Sequence, residues 1–204
     1  MIVFHFPDEA AAERSAFSVV GQTPSGEAAG ELMLVPAGAL PGAGFPGHIF
    51  YLDERAVETL PICTRTLVPE RLAEQFPENP VYISAQLSGG TLRARLEEAL
   101  ARYADRLWLL AEPLSMCFSL PCPSGIGTAL SPEEAARVAQ EPFCLSQALC
   151  CEYAPVRMEE GYALCLCDTP RSVREKLRLA ERCGVQNVLV MRGCAPLLRP
   201  RGRG

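Results

Sequence analysis

Twice in this chain a short apolar run, a helical pattern and a second short apolar run follow one another through brief links, and nothing else in the sequence constrains the fold as strongly. Residues 81–87 (VYISAQL) read as a strand, Ser88-Gly89-Gly90 turns the chain, and Thr91 caps a helix. In that helix Leu92, Leu96, Leu100 and Tyr103 recur at helical spacing, and residues 107–112 (LWLLAE) form the next strand. Residues 162–168 (YALCLCD), a helix opened by Thr169-Pro170 and ended by Gly184, and residues 187–191 (NVLVM) repeat the pattern. Strand, helix and strand with short links imply parallel pairing and right-handed crossovers.

The rest of the chain reads in the same way, less sharply. Residues 1–6 (MIVFHF) are expected as a first strand, 8–17 as a short helix, 21–30 as a loop and 31–35 (ELMLV) as a strand. A Pro/Gly loop spans 36–47, a strand spans 48–53 (HIFYLD), and short helices are expected just after it and over 67–76. Ser131-Pro132-Glu133-Glu134 is a capping box with Pro at the first helical position, and its helix runs to about residue 140. After Pro113 the chain continues extended to residue 121, as one bent strand or a hairpin. The expected fold class is α/β with a largely parallel sheet, either an incomplete, TIM-like barrel or an open α/β sheet. Eight full βα units need about 250 residues, and this chain has 204. Residues 1–198 read as one domain and 199–204, with Arg199, Arg201 and Arg203, as a flexible basic tail.

A net charge of −5 argues against broad binding to nucleic acid or to an anionic membrane, since both want basic surface. No apolar run reaches the length of a membrane span, and the first residues lack the pattern of a secretory signal, so a cytoplasmic protein is expected. The ten cysteines include no Cys-x-x-Cys pair, and only His5 and His48 could join them around a metal. Reduced, buried thiols and no metal are expected, with Cys165 and Cys167 acting as small apolar side chains on one strand face. His5 reads as a core histidine. Residues 42–47 (GAGFPG) match G-x-G-x-x-G in form only, because Pro46 removes a backbone donor and a strand follows where a helix is needed. No cofactor is expected.

In parallel α/β folds functional groups collect beyond the carboxyl ends of the strands. HIFYLD ends in Asp53, LWLLAE in Glu112 and YALCLCD in Asp168, while VYISAQLS carries Gln86 and Ser88. Asp53, Glu112 and Asp168 are therefore the candidate catalytic acids, which could divide acid and base roles around one cleft. Each has a structural alternative, because acids also favour helix starts and turns. Gln86, Ser88, Glu152 and Tyr153 are candidate ligand-binding residues of the same cleft. Cys122, between two prolines and ahead of Ser124-Gly125, is either a further cleft residue and nucleophile or a packed turn residue; a nucleophilic cysteine needs a nearby base.

The C-terminal run YALCLCDTPRSVREKLRLAERCGVQNVLVM resembles the closing strand–helix–strand of chitinase-like (glycoside hydrolase family 18) TIM barrels. It shares an acid-ended strand, a Pro, a basic helix and a Gly-Val turn with that unit. The resemblance covers about 30 residues and implies a barrel-like fold and a carbohydrate-facing cleft with Asp168 at its rim. The family's D-x-x-D-x-D-x-E strand is absent, so a relative of this kind would be shortened, non-catalytic or dependent on other acids. Three functions follow: a hydrolase-like or carbohydrate-binding domain, taking carbohydrate or another small polar ligand; a binding or scaffold domain without chemistry; or a cysteine-dependent enzyme at Cys122.

Overall fold

The computed structural model describes residues 1–5, 17–23, 27–41, 44–60, 62–87, 90–138, 142–158 and 161–191. Two sheets build it. The larger has eight strands in the order β4-β3-β2-β1-β13-β7-β6-β5. These are β1 (Ile2–His5), β2 (Phe17–Gln22), β3 (Ala28–Val35), β4 (His48–Tyr51), β5 (Val68–Pro69), β6 (Val81–Ser84), β7 (Leu107–Ala111) and β13 (Asn187–Val190). A parallel bridge between Ile49 and Thr66 joins the β4 edge to the β5 edge. Its bonds run from Ile49 N to Arg65 O at 3.1 Å and from Leu67 N to Ile49 O at 2.8 Å. They curl the sheet into a barrel. Every neighbouring pair is parallel except those of β2, which runs against β1 and β3.

Three helices accompany this barrel: α1 (Arg55–Thr59), α2 (Leu92–Tyr103) and α4 (Pro170–Cys183). Helix α2 starts where the Thr91 hydroxyl accepts from Ala94 N at 3.1 Å and buries Leu92, Leu96, Ala99 and Tyr103. Helix α4 starts at a Thr169–Ser172 capping box and stops at Gly184, whose φ of 94° is the left-handed value that favours glycine. An eight-stranded barrel with three accompanying helices among the described residues is an incomplete α/β barrel.

The smaller sheet is wholly antiparallel and leaves the barrel between β7 and α4. It comprises β8 (Ser115–Leu120), β9 (Thr128–Ala129), β10 (Cys144–Ser146), β11 (Cys151–Met158) and β12 (Gly161–Cys167), in the order β10-β11-β12-β8-β9, with α3 (Pro132–Val138) in the link between β9 and β10. Both bonds of the α3 capping box form, from Ser131 N to Glu134 Oε2 at 2.8 Å and from Glu134 N to Ser131 Oγ at 3.2 Å.

Five expectations change. Residues 21–30 hold the end of β2 and the start of β3 around a short connection, so much of the expected loop is a hairpin. Residues 67–76 are not a helix, since Val68-Pro69 pair with β6 and only one 3₁₀ turn follows at Glu70–Leu72. Residues 107–121 are neither a bent strand nor a hairpin, because β7 and β8 belong to different sheets. Residues 162–168 are not a barrel strand, because β12 pairs antiparallel with β11 and β8. The short link from β11 makes the local antiparallel partner available first. Cys165 is not a free thiol; it is bonded to Cys117, its direct cross-strand partner on β8. The expected helix at 8–17 falls outside the described residues up to position 16, with Phe17 opening β2, and Ser88 and the 199–204 tail also lie outside them.

The barrel interior follows from strand alternation, in which side chains two apart share a face. Phe4, Leu32, Leu34, Phe50, Leu67, Tyr82, Trp108, Leu110 and Leu189 fill it as one buried cluster. Phe4 stacks on Trp108 with ring centroids 5.1 Å apart, and Tyr82 meets Phe50 edge-on at 5.2 Å. The interior is packed core, and access is confined to its two ends. The alternate residues, among them Val35, Val68, Ile83 and Leu109, face outward into the core shared with the helices.

Candidate functional site

The interior rows lead upward to the carboxyl ends of the parallel strands. Trp108 and Leu110 on β7 are followed in the same parity by Glu112. Tyr82 and Ser84 on β6 are followed by Gln86, and beyond Phe50 on β4 the chain passes Leu52 and turns at Glu54 into α1. The barrel thus brings two carboxylates from different strands to the strand between them. Ser84 Oγ donates to Glu112 Oε2 at 2.8 Å, and Tyr82 Oη donates to Glu54 Oε1 at 2.7 Å. Burial first, then the Glu54 and Glu112 charges, push the Tyr82 phenol far above its ordinary range, so it stays a donor at any physiological pH.

The two acids are held differently. Glu54 Oε2 also accepts from Arg71 at 3.2 Å, and the same guanidinium pairs with Glu58. Glu112 has one oxygen on Ser84, and its Oε1 has no described partner. Gln86 donates from Nε2 to the Pro113 carbonyl at 2.9 Å, and its backbone N donates to Ser84 Oγ at 3.1 Å. That pair ties the β6 and β7 tips together. Beyond them a cleft of about 240 Å³ opens between the barrel mouth and the small sheet, walled by Gln86, Leu87, Met116, Phe118 and Ile126. Ile126 is 77% exposed there.

The other sequence candidates fall elsewhere. Asp53 has the opposite parity to Glu54 and accepts from Arg55 N at 3.0 Å, at the start of α1. Asp168 ends a strand of the small sheet and turns inward, with its side chain 0% exposed and its Oδ2 at 2.6 Å from Lys176 Nζ, itself 1% exposed. Ser172 Oγ donates to Asp168 Oδ1 at 2.9 Å, and Leu114 N donates to Oδ2 at 2.8 Å. Asp168 is thereby a clamp between α4 and the chain entering β8. Tyr153 packs beside Leu114, Phe118 and Leu166, and Glu152 faces the other side of the same strand. Cys122 joins that cluster, and its sulfur lies 3.6 Å from the Ile126 carbonyl and 4.0 Å from Ser124 Oγ, neither of which is a base for a thiol.

Glu54, Tyr82 and Ser84 escape a reading that takes only the last acid of each strand. Counting by twos along β6 reaches Tyr82 and Ser84, whereas Glu54 is brought in by the turn into α1. Among the described residues no group of three or more His, Cys, Asp or Glu is placed to hold a metal, and no helix is long and apolar enough to cross a membrane.

Neither a family model nor a curated protein matches the sequence. Among solved structures the chain is similar to the spore cortex-lytic enzyme SleL of Bacillus cereus, with a TM-score of 0.48, 12% identity, and 71% of this chain and 44% of that one covered. The SleL of Bacillus megaterium gives a TM-score of 0.47 and 12% identity over 70% of this chain and 44% of that one. A chitinase of Chromobacterium violaceum gives 0.46 and 12% over 70% of this chain and 60% of that one. The chain spans less than two thirds of the length of each.

Proposed function

We propose that the carboxyl end of the barrel binds a carbohydrate, or another small polyhydroxylated ligand, through Glu112. One observation carries this reading. Glu112 stands at the mouth with one oxygen anchored by Ser84 and the other without a described partner. An anchored carboxylate with a spare oxygen is a fixed acceptor for sugar hydroxyl or amide donors. Gln86, whose backbone N donates to the same Ser84 hydroxyl, lines the neighbouring cleft, where Met116 and Ile126 offer apolar surface for the less polar face of a sugar ring.

The same geometry favours binding over hydrolysis. In each described bond of Glu54 and Glu112 the carboxylate is the acceptor. A glycosidase needs one of two facing acids to deliver a proton to the leaving oxygen. Asp168, the rim acid implied by the C-terminal resemblance, is committed to Lys176 and takes no part in this reading.

The resemblance of residues 162–191 selects the first ligand to try. Calorimetric titration with chitotriose is expected to give saturable binding, weakened about tenfold in Glu112→Gln, the scale of one charge-assisted hydrogen bond. Release of reducing ends is followed in the same samples. No binding of chitotriose or of other neutral oligosaccharides, or equal binding by Glu112→Gln, would sink the proposal. Turnover that disappears in Glu112→Gln would replace binding by hydrolysis.

A further inference from the structure

The barrel has a second opening, at the amino ends of its strands and opposite the proposed carbohydrate site. Ile2, His48 and Asn187 are the first residues of β1, β4 and β13, and with Glu31 they surround a cavity of about 370 Å³. Such a volume suits a small molecule. Gly30 lines the cavity beside the Phe4 ring, and its φ of +144° is one that side-chain-bearing residues rarely adopt. Ile2 and Phe4 form an apolar floor, and Trp108 lies behind them, 5.1 Å from both the Phe4 and His48 rings.

The rim carries one carboxylate, one imidazole and one amide. Glu31 is exposed, and no partner for its carboxylate is described among the described residues. His48 Nδ1 faces the Arg65 carbonyl at 3.3 Å. Burial holds the His48 ring below its ordinary range, so it is neutral at pH 7. With Nδ1 donating to that carbonyl, Nε2 is left as an acceptor. Asn187 adds an amide. The nearby Arg65 guanidinium donates to the Phe45 carbonyl at 2.8 Å, and its charge reaches His48, so Glu31 is the group of the rim that would hold a cation.

We propose that this amino-end cavity is a second binding site, for a small amine whose apolar body lies on Ile2 and Phe4 and whose ammonium meets Glu31. An apolar floor under one carboxylate and a neutral imidazole complements such a cation, and the same carboxylate would repel an anion. The proposal is independent of the carbohydrate reading, because it uses none of the residues of the mouth.

Trp108 is the only tryptophan of the chain, so its emission reports on this end of the barrel. Benzylamine is the probe, and benzyl alcohol its uncharged counterpart. Benzylamine is expected to change Trp108 emission saturably, and benzyl alcohol to do so at least about tenfold more weakly. Glu31→Gln is expected to weaken benzylamine about tenfold, and Glu31→Lys to abolish the response, with circular dichroism confirming that both fold. Chitotriose binding in Glu31→Gln should match that of the unsubstituted protein, which keeps the two sites apart. The absence of a saturable response to benzylamine, an equal response to benzyl alcohol, or undiminished binding by Glu31→Gln would overturn the assignment.

Discussion

Glu112 and Asp168 look alike in the sequence and do opposite things in the fold. Each follows an apolar strand, and each stands before a proline-containing turn. Yet β7 has parallel neighbours in the barrel, so its next inward position opens on the mouth, where Glu112 Oε1 has no partner among the described residues. Strand β12 sits in the antiparallel sheet, and the chain leaving it runs straight into α4. Asp168 is there enclosed by Lys176, Ser172 and the Leu114 backbone. The difference shows that a strand-end acid takes its role from the sheet its strand joins.

If that contrast is right, substitutions at the two acids should separate stability from binding. The largest effect is expected from Lys176→Met. It leaves the Asp168 charge buried without its partner, which should cost about 3–5 kcal/mol in urea unfolding. A cost under about 1 kcal/mol would place Asp168 among ordinary surface acids. Next, Thr169→Ala removes the oxygen that accepts from Ser172 N at 3.3 Å and should cost about 1 kcal/mol by the same measurement.

Acidification sharpens the comparison at the barrel ends. Burial lowers both His5 and His48 in the folded protein. The unfolded chain therefore binds protons more readily near its ordinary histidine value. Stability should be full above about pH 6.5 and fall as the pH drops from there toward the lowered folded values. His48→Gln should flatten that slope in pH-dependent unfolding curves; an unchanged slope would assign it to other groups. The smallest stability effect belongs to Glu112→Gln, within about 0.5 kcal/mol because the group is only part-buried and its Ser84 bond can be kept by the amide. Its signature is the tenfold loss of chitotriose affinity, so a large loss of stability would move Glu112 into the same class as Asp168.

Much of the scaffold was legible from local signals. The Thr91 and Thr169 caps, the Ser131–Glu134 box and the apolar runs of β6, β7 and β13 all depend on residues within a few positions of one another. Strand β2 was not legible, since FSVVGQ carries a glycine and a weak alternation, and β5 contributes only a two-residue pair. The Cys117–Cys165 bond joins residues 48 positions apart and depends on the register of β8 against β12.

The candidate site was half legible. Glu112 and Gln86 stand where the ends of their strands suggested, and Tyr82 and Ser84 lie on an expected strand but gain meaning only from what faces them. Glu54 is one residue beyond the expected acid, and the turn after β4 decides between the two: it carries Glu54 to Tyr82 and leaves Asp53 on the Arg55 backbone.

Periodicity, capping and composition settled most of the elements and the α/β class of the barrel, because those depend on contacts within a turn or along one strand. Only the folded chain decided which acids meet. That choice rests on pairing between strands far apart in sequence, on the closure of β4 against β5, and on the departure of the small sheet between β7 and α4. Local pattern carries no information about such distant partners, so two equivalent strand ends became an open mouth in one place and a sealed ion pair in the other.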